Sequence, residues 1–365
     1  MRHLLLLFFI GSWAANLRAQ TSCNEDSVLA IVGKWKKNND ANMRPYKNLV
    51  QLTSRIDRVS HMFQEAYPQP RGTEARWYRN LQEEPLVEGG PLAYDFHSLY
   101  QYWYCNKNVD SLMLSGETSN WGFVFFNSLN GILDDQQDRL KIKINGHDVY
   151  LLPNAVGQWK GNALYDFSGS RCIILMHKNK LPWKAVTQGE YLEALKTEWE
   201  DQKKKTAAGY DEILSDRKKT IKEWEDKKDV PAAYKDRIIS SLRNDLEEWE
   251  KNQKTQREKI FKYWDEKIAV IERYIADKAH DLNQPAVIER TPEQFNNFSG
   301  SFAENSKGES LVVLDPSYFE KQLPAYVSQL IVLKWSWEEN AAGRYYKKRI
   351  EENFPLDKLR EMIDR

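Results

Sequence analysis

Glu198-Trp199-Glu200-Asp201, Glu223-Trp224-Glu225-Asp226 and Glu248-Trp249-Glu250 place three tryptophans 25 residues apart in a dense mixture of Glu, Lys, Asp and Arg. Between Glu190 and Leu282 there is one proline, Pro231, and one glycine, Gly209. Thr187-Gln188-Gly189-Glu190 stands just before this stretch as a capping box. In that motif the threonine hydroxyl and the glutamate carboxylate each satisfy an orphan backbone N–H of a helix start. Proline is tolerated in the first turn of a helix and not in its interior. The stretch therefore reads as two long helices, about 190–228 and 231–282, folded back as an antiparallel hairpin.

The second helix carries a seam, Tyr234, Ile238, Leu242, Leu246, Trp249, Gln253, Gln256, Ile260, Trp264, Ile271 and Tyr274. Its spacings, mostly three and four, are coiled-coil-like, weakened by the central glutamines. Glu200–Lys204, Glu223–Lys227 and Glu258–Lys262 set acid before base four residues apart. Such pairs stabilise by only about 0.2–0.5 kcal/mol each, and they mark faces suited to water. Twenty-five residues are close to seven turns at 3.6 per turn, so Trp199 and Trp224 share a face of one straight helix. Two readings stand for Trp199, Trp224 and Trp249. They form a row of anchors for a protein partner, or they pack against the opposite helix, as aromatics at helical spacing mostly do.

Sheet signals lie on both sides of this insert. Trp121-Gly122-Phe123-Val124-Phe125-Phe126 and Arg171–Met176 are apolar runs of strand length, and Leu140–Ile144 alternates with period two. Asn145-Gly146 follows, then His147–Leu152, a hairpin signal because both turn residues take positive φ. After the insert, Ser310–Leu314 and Gln329–Trp335 read as strands, Asp315-Pro316 as the start of a short helix through Leu323, and Pro355–Ile363 as a closing helix. Apolar residues recur at helical spacing through 24–66, in two runs separated near Pro45. The expected fold class is α+β: a sheet domain with N-terminal helices, interrupted by a long antiparallel coiled-coil-like helical hairpin. Residues 20–187 and 286–365 would form the discontinuous α+β domain, and 188–285 the arm.

Met1-Arg2-His3, the apolar run Leu4–Ile10 and Ala19 before Gln20 have the layout of a secretory signal peptide over residues 1–19. The run is too short to span a bilayer, and no later stretch predicts a transmembrane segment. The expected location is periplasmic or extracellular. A lipid-anchored variant would use Cys23, but Gln20-Thr21-Ser22 is a poor box for it. Without Arg2 and Arg18 the chain carries 51 basic and 53 acidic side chains, a formal charge of −2. That balance argues against a nucleic-acid partner. An exported chain is permitted a disulfide. Cys105 and Cys172, both in apolar surroundings, are the expected pair, with Cys23 left over; the other reading leaves all three free.

No phosphate-cradling glycine loop, Cys-x-x-Cys, His-Glu-x-x-His or Gly-x-Ser-x-Gly occurs. No cofactor and no metal are expected. Asn106-x-Asn108-x-Asp110 with Glu117 imitates calcium-loop spacing, but it lacks the leading aspartate and the turn glycine. His61 and Glu65 lie four apart on a helix; His97, His147 and His177 are scattered. Asp134, Asp135 and Asp138 form an acidic group of the kind that does acid–base work on glycosidic bonds, or that is simply solvated. Trp159, Tyr165, Arg171 and Trp183 flank one strand and mix aromatic and hydrogen-bonding groups, as a carbohydrate or peptide surface needs. A loop packed against the sheet edge explains them too. The function expected is that of an exported, non-enzymatic binding or interaction protein using the arm and this aromatic-rich surface. The alternatives are a secreted hydrolase acting on glycans or peptides, and a small-ligand binder in a sheet-lined cavity.

Overall fold

A computed structural model describes residues 23–41, 48–81, 85–133, 137–277, 281–291 and 294–365. The expected leader at 1–19, together with Asp134 and Asp135, lies outside them. In chain order the elements are α1 (Glu25–Ala30), β1 (Trp35–Lys37), α2 (Leu49–Ala66), β2 (Thr73–Leu81), β3 (Tyr94–Asn106), β4 (Ser111–Phe126), β5 (Arg139–Ile144), β6 (His147–Leu152), β7 (Gly157–Trp159), β8 (Asn162–Asp166), β9 (Ser170–Met176) and β10 (Trp183–Ala185). The long pair α3 (Gln188–Asp226) and α4 (Ala232–Ala276) follows. Then come β11 (Val287–Ile288), β12 (Glu309–Leu314), β13 (Leu330–Ser336), α5 (Ala341–Asn353) and α6 (Leu356–Arg360).

Strand alternation sorts these elements into layers. An eight-stranded sheet has the order β1-β2-β3-β4-β13-β9-β8-β7, and a five-stranded one holds β10-β12-β6-β5 with β11 beside β12. On β13, Ile331, Leu333 and Trp335 face a core built with α2, α5 and α6, whereas Leu330 and Val332 face the second sheet. On β6, Tyr150 and Leu152 meet the first sheet, and Val149 and Leu151 meet the base of α3 and α4. The order is therefore helices, large sheet, small sheet, helical base. Two adjacent inner strands of the large sheet, β13 and β9, are largely apolar on both faces, as a strand covered on two sides must be. Strands before and after the insert pair directly: β13 with β4 and β9, and β12 with β6 and β10.

The α3–α4 hairpin leaves the small sheet through a hydrogen-bonded neck. Gln188 and Gly189 donate their N–H groups to the carbonyls of Gln284 and Leu282, at 2.8 and 2.9 Å. The capping box at Thr187 and Glu190 is formed. Five interhelical ion pairs, Lys196–Glu272, Lys203–Asp265, Arg257–Asp211, Lys218–Glu250 and Arg243–Glu225, run up the hairpin. Each step advances seven or eight residues on α3 and retreats as many on α4, which is the register of an antiparallel coiled coil. Burial is concentrated at the base. Beyond Trp199, α3 buries only Ile221, and α4 buries only Ile271. Among the described residues, no helix is long and apolar enough to cross a membrane.

Three expectations are corrected. The disulfide joins Cys23 to Cys105, and Cys172 is a free, fully buried thiol. Cys105 ends β3 far out on the β3–β4 hairpin, whereas Cys172 faces the small sheet from the centre of β9 and is walled off from any partner. Its burial pushes the thiol up to about 12. The helical run expected through residues 24–66 is interrupted: Trp35–Lys37 pairs in parallel with Ala75–Trp77. Gly33 permits this, because a Cβ there would lie 1.8 Å from the Thr73 carbonyl oxygen, so only glycine lets the chain come that close. The helix after Asp315 shrinks to a single 3-10 turn, Pro316–Tyr318.

Candidate functional site: an aromatic ladder beside a polar cleft

The small sheet covers only part of the large one. In the inter-sheet core the large sheet is represented by β13, β9, β8 and Phe125 of β4, and by no residue of β2 or β3. The same face continues across β4, β3 and β2 as three rows set by the strand register. They are Val332, Phe125, Asp95 and Asn80; Lys334, Phe123, His97 and Tyr78; and Ser336, Trp121, Leu99 and Arg76. Trp121, Phe123 and Phe125 alternate along β4 and so point the same way. Their rings stack in sequence, Trp121 on Phe123 at 5.7 Å and Phe123 on Phe125 at 5.6 Å between centroids. Phe125 is covered by the turn after β4. At Gly131, φ is +112° and a Cβ would stand 2.8 Å from the Phe125 ring. Trp121, Phe123 and Leu99 are part-exposed and belong to none of the three cores.

A relay of adjoining polar side chains borders the ladder. His97 Nε2 meets the carboxylate of Asp95, which is buried, and Tyr78 Oη lies 2.8 Å from His97 Nδ1. The Tyr78 hydroxyl and His97 Nδ1 share one hydrogen bond, whose donor depends on the imidazole tautomer. Asn80 Nδ2 donates to the other oxygen of Asp95 at 3.0 Å. The imidazole edge rests on Phe123 at 4.8 Å. Burial, and then the Asp95 charge, raise the Tyr78 phenol above its ordinary value. It stays protonated at neutral pH, and the relay fixes the ring without making a phenolate nucleophile.

On the other side the ladder runs into a cleft of about 860 Å³ between the two sheets. Phe167, Ser170 and Lys334 line it from the large sheet, and Asp138, Arg290 and Glu309 from the small one. Arg290 holds Asp138 at 2.7 Å and Glu309 at 2.8 Å. Lys334 Nζ stands 5.0 Å over the Phe167 ring.

The residues singled out from the sequence are dispersed. Tyr165 and Trp183 are buried in the inter-sheet core. Trp159 and Arg171 lie toward α5 instead. Trp159 Nε1 donates to the Glu351 carbonyl at 3.1 Å, and Arg171 pairs with Glu351 and Asp166, each at 2.9 Å. The four do not share a surface, because alternate residues of β8 and β9 point to opposite sides. Trp199 is buried at the arm's base against Trp264, Trp224 packs on Tyr234, and Trp249 lies under the Arg217 guanidinium.

Asp138 is buried and clamped by Arg290, so it is not available as a mobile acid. Asp110 accepts from the Cys23 N–H, and Asn106 Oδ1 from the Asn108 N–H. Glu65 holds Lys358. His147 is exposed near the β5–β6 turn. His177 is buried between two carboxylates, with Nδ1 2.5 Å from Asp364 and Nε2 3.0 Å from Glu320, and ties the chain's last turn to the end of β9. The ladder and the relay escaped the sequence reading. The signals that could have revealed them were the alternation within 121–126 and the Asp-x-His of residues 95–97, which a strand turns to one face.

Compared with protein-family models, with curated proteins and with solved structures, the chain matches none of them.

Proposed function

We propose that this is an exported, non-enzymatic binding protein whose ligand lies on the open part of the large sheet, over Trp121 and Phe123. The observation that carries the reading is the stacked ladder itself. Two large stacked rings stay part-exposed side by side on one strand and belong to none of the three cores. Pre-formed sites for small molecules are largely apolar, with a few fixed polar groups at the rim. Here those groups are Tyr78, His97 and Lys334. The relay supports binding over hydrolysis, since Tyr78 takes up His97 Nδ1, Asp95 lies against Nε2, and the phenol is held protonated. Export is supported by the layout of residues 1–19 and by the Cys23–Cys105 bridge, a bond that persists in oxidising compartments. The arm, carrying ion pairs and little buried surface beyond its base, serves in this reading as a spacer or a contact for a protein partner.

The test uses N-phenyl-1-naphthylamine, a neutral dye that fluoresces on leaving water. It should bind saturably at one site, with Trp121→Ala weakening it about tenfold, or about 1.4 kcal/mol, and Trp249→Ala leaving it unchanged. Equal binding by the wild type and Trp121→Ala would remove the ladder as the site.

A further inference from the structure

We infer that the ligand of this face is a small amphipathic anion: an apolar or aromatic body on the ladder, with one carboxylate, sulfate or phosphate group on Lys334. The inference rests on the binding reading above and adds the charge of the ligand to it.

Lys334 occupies the middle of β13, a strand otherwise buried, and is directly across from Phe123 of the ladder and from Cys172. Residues opposite each other on adjacent strands have Cβ atoms about 4.5–5.5 Å apart, so the lysine stem starts beside the stacked rings. Its ammonium ends over the Phe167 ring at the cleft mouth, and among the described residues no carboxylate lies within ion-pair reach of it. The acids that line the cleft have other cations. Asp138 and Glu309 share Arg290, and Asp166 holds Arg171. Lysine is rarely placed on an interior strand face without a counter-charge, because desolvating an ammonium is costly unless it is paired. A part-exposed lysine whose ammonium lies over the Phe167 ring, next to a part-exposed apolar platform, is complementary to a ligand that brings both an apolar body and an anionic group. One cation, not a cluster, fits one anionic group. The other polar groups of that row, His97 and Tyr78, are committed to the relay.

Two dyes with one ring skeleton separate the terms. N-phenyl-1-naphthylamine is neutral, and 8-anilinonaphthalene-1-sulfonate adds a sulfonate. The full chain should bind the sulfonate at least tenfold tighter than the neutral dye, and added salt should weaken only the sulfonate. Lys334→Met, which keeps the apolar stem, should weaken the sulfonate at least tenfold and leave the neutral dye within twofold. Lys334→Arg should retain both, and near-ultraviolet circular dichroism checks that each variant is folded. Equal affinity of the wild type for the two dyes, or parallel loss of both in Lys334→Met, would overturn the anion assignment while the ladder stands. Indifference of both dyes to Trp121→Ala would overturn the binding reading and this inference together.

Discussion

Trp335 and Trp249 are the same side chain in two kinds of surroundings. Trp335 is fully buried on β13 against Trp159, at 5.0 Å between rings, and its Nε1 donates to Glu351. Trp249 lies part-exposed on α4, with the Arg217 guanidinium 5.0 Å above it. The layered body is held by apolar burial from both faces of its sheets. The arm is held by a thin seam, a neck and a row of ion pairs. Burial stabilises by roughly 25 cal/mol per Å² of apolar surface, whereas an exposed ion pair contributes about 0–1 kcal/mol. The arm beyond Trp199 is thus the part that opens first, and the body the part that sets global stability.

The largest effect should come from the body. Trp335→Ala should lower unfolding free energy by about 3–5 kcal/mol in chemical denaturation, and Trp249→Ala by less than about 1 kcal/mol. Equal losses would break the contrast. Replacing Cys23 and Cys105 by serine removes a crosslink spanning 82 residues and should cost about 2–5 kcal/mol. Amide exchange on α3 and α4 should be unchanged in that variant, since the bridge lies wholly in the body. Lys218 and Glu250 face each other at 3.7 Å across the arm. A double-mutant cycle to alanine should give about 0.2–1 kcal/mol of coupling at low salt, vanishing in 1 M salt.

The smallest effect concerns the C-terminal latch. Lys178 and then His177 hold the Glu320 carboxyl below its ordinary value. A carboxylate depressed on folding stabilises fully above its unfolded value and loses that contribution as pH falls through the folded one. Below about pH 5 the wild type should therefore lose melting temperature more steeply than Glu320→Gln. Parallel curves would show that the latch does not couple folding to protonation.

The arm was legible because helix caps and heptad spacing are local. Thr187, Glu190 and Pro231 stand at or beside the ends of α3 and α4 in the structure. The sheets were legible as strands and not as faces. The run 121–126 is apolar throughout, so it reads as doubly buried. In fact Val124 and Phe126 pack under α2 and its neighbours, while Trp121 and Phe123 stand outside every core. The relay needs Tyr78 from β2 against His97 from β3, and neither strand stood out in a stretch whose apolar and polar residues mix on both faces. The cysteine pairing failed for a related reason. Apolar neighbours surround both Cys105 and Cys172, and only the tertiary fold sets one at a hairpin tip and the other beneath a second sheet.

Body and arm meet in one decisive measurement. Indole N–H resonances of ¹⁵N-tryptophan-labelled protein can be followed during titration with 8-anilinonaphthalene-1-sulfonate, with Trp121, Trp224 and Trp249 assigned by substitution. A saturable shift of the Trp121 resonance is expected, with the two arm resonances unmoved. Saturable shifts of Trp224 and Trp249 with Trp121 unchanged would put ligand recognition on the arm and contradict a site on the ladder.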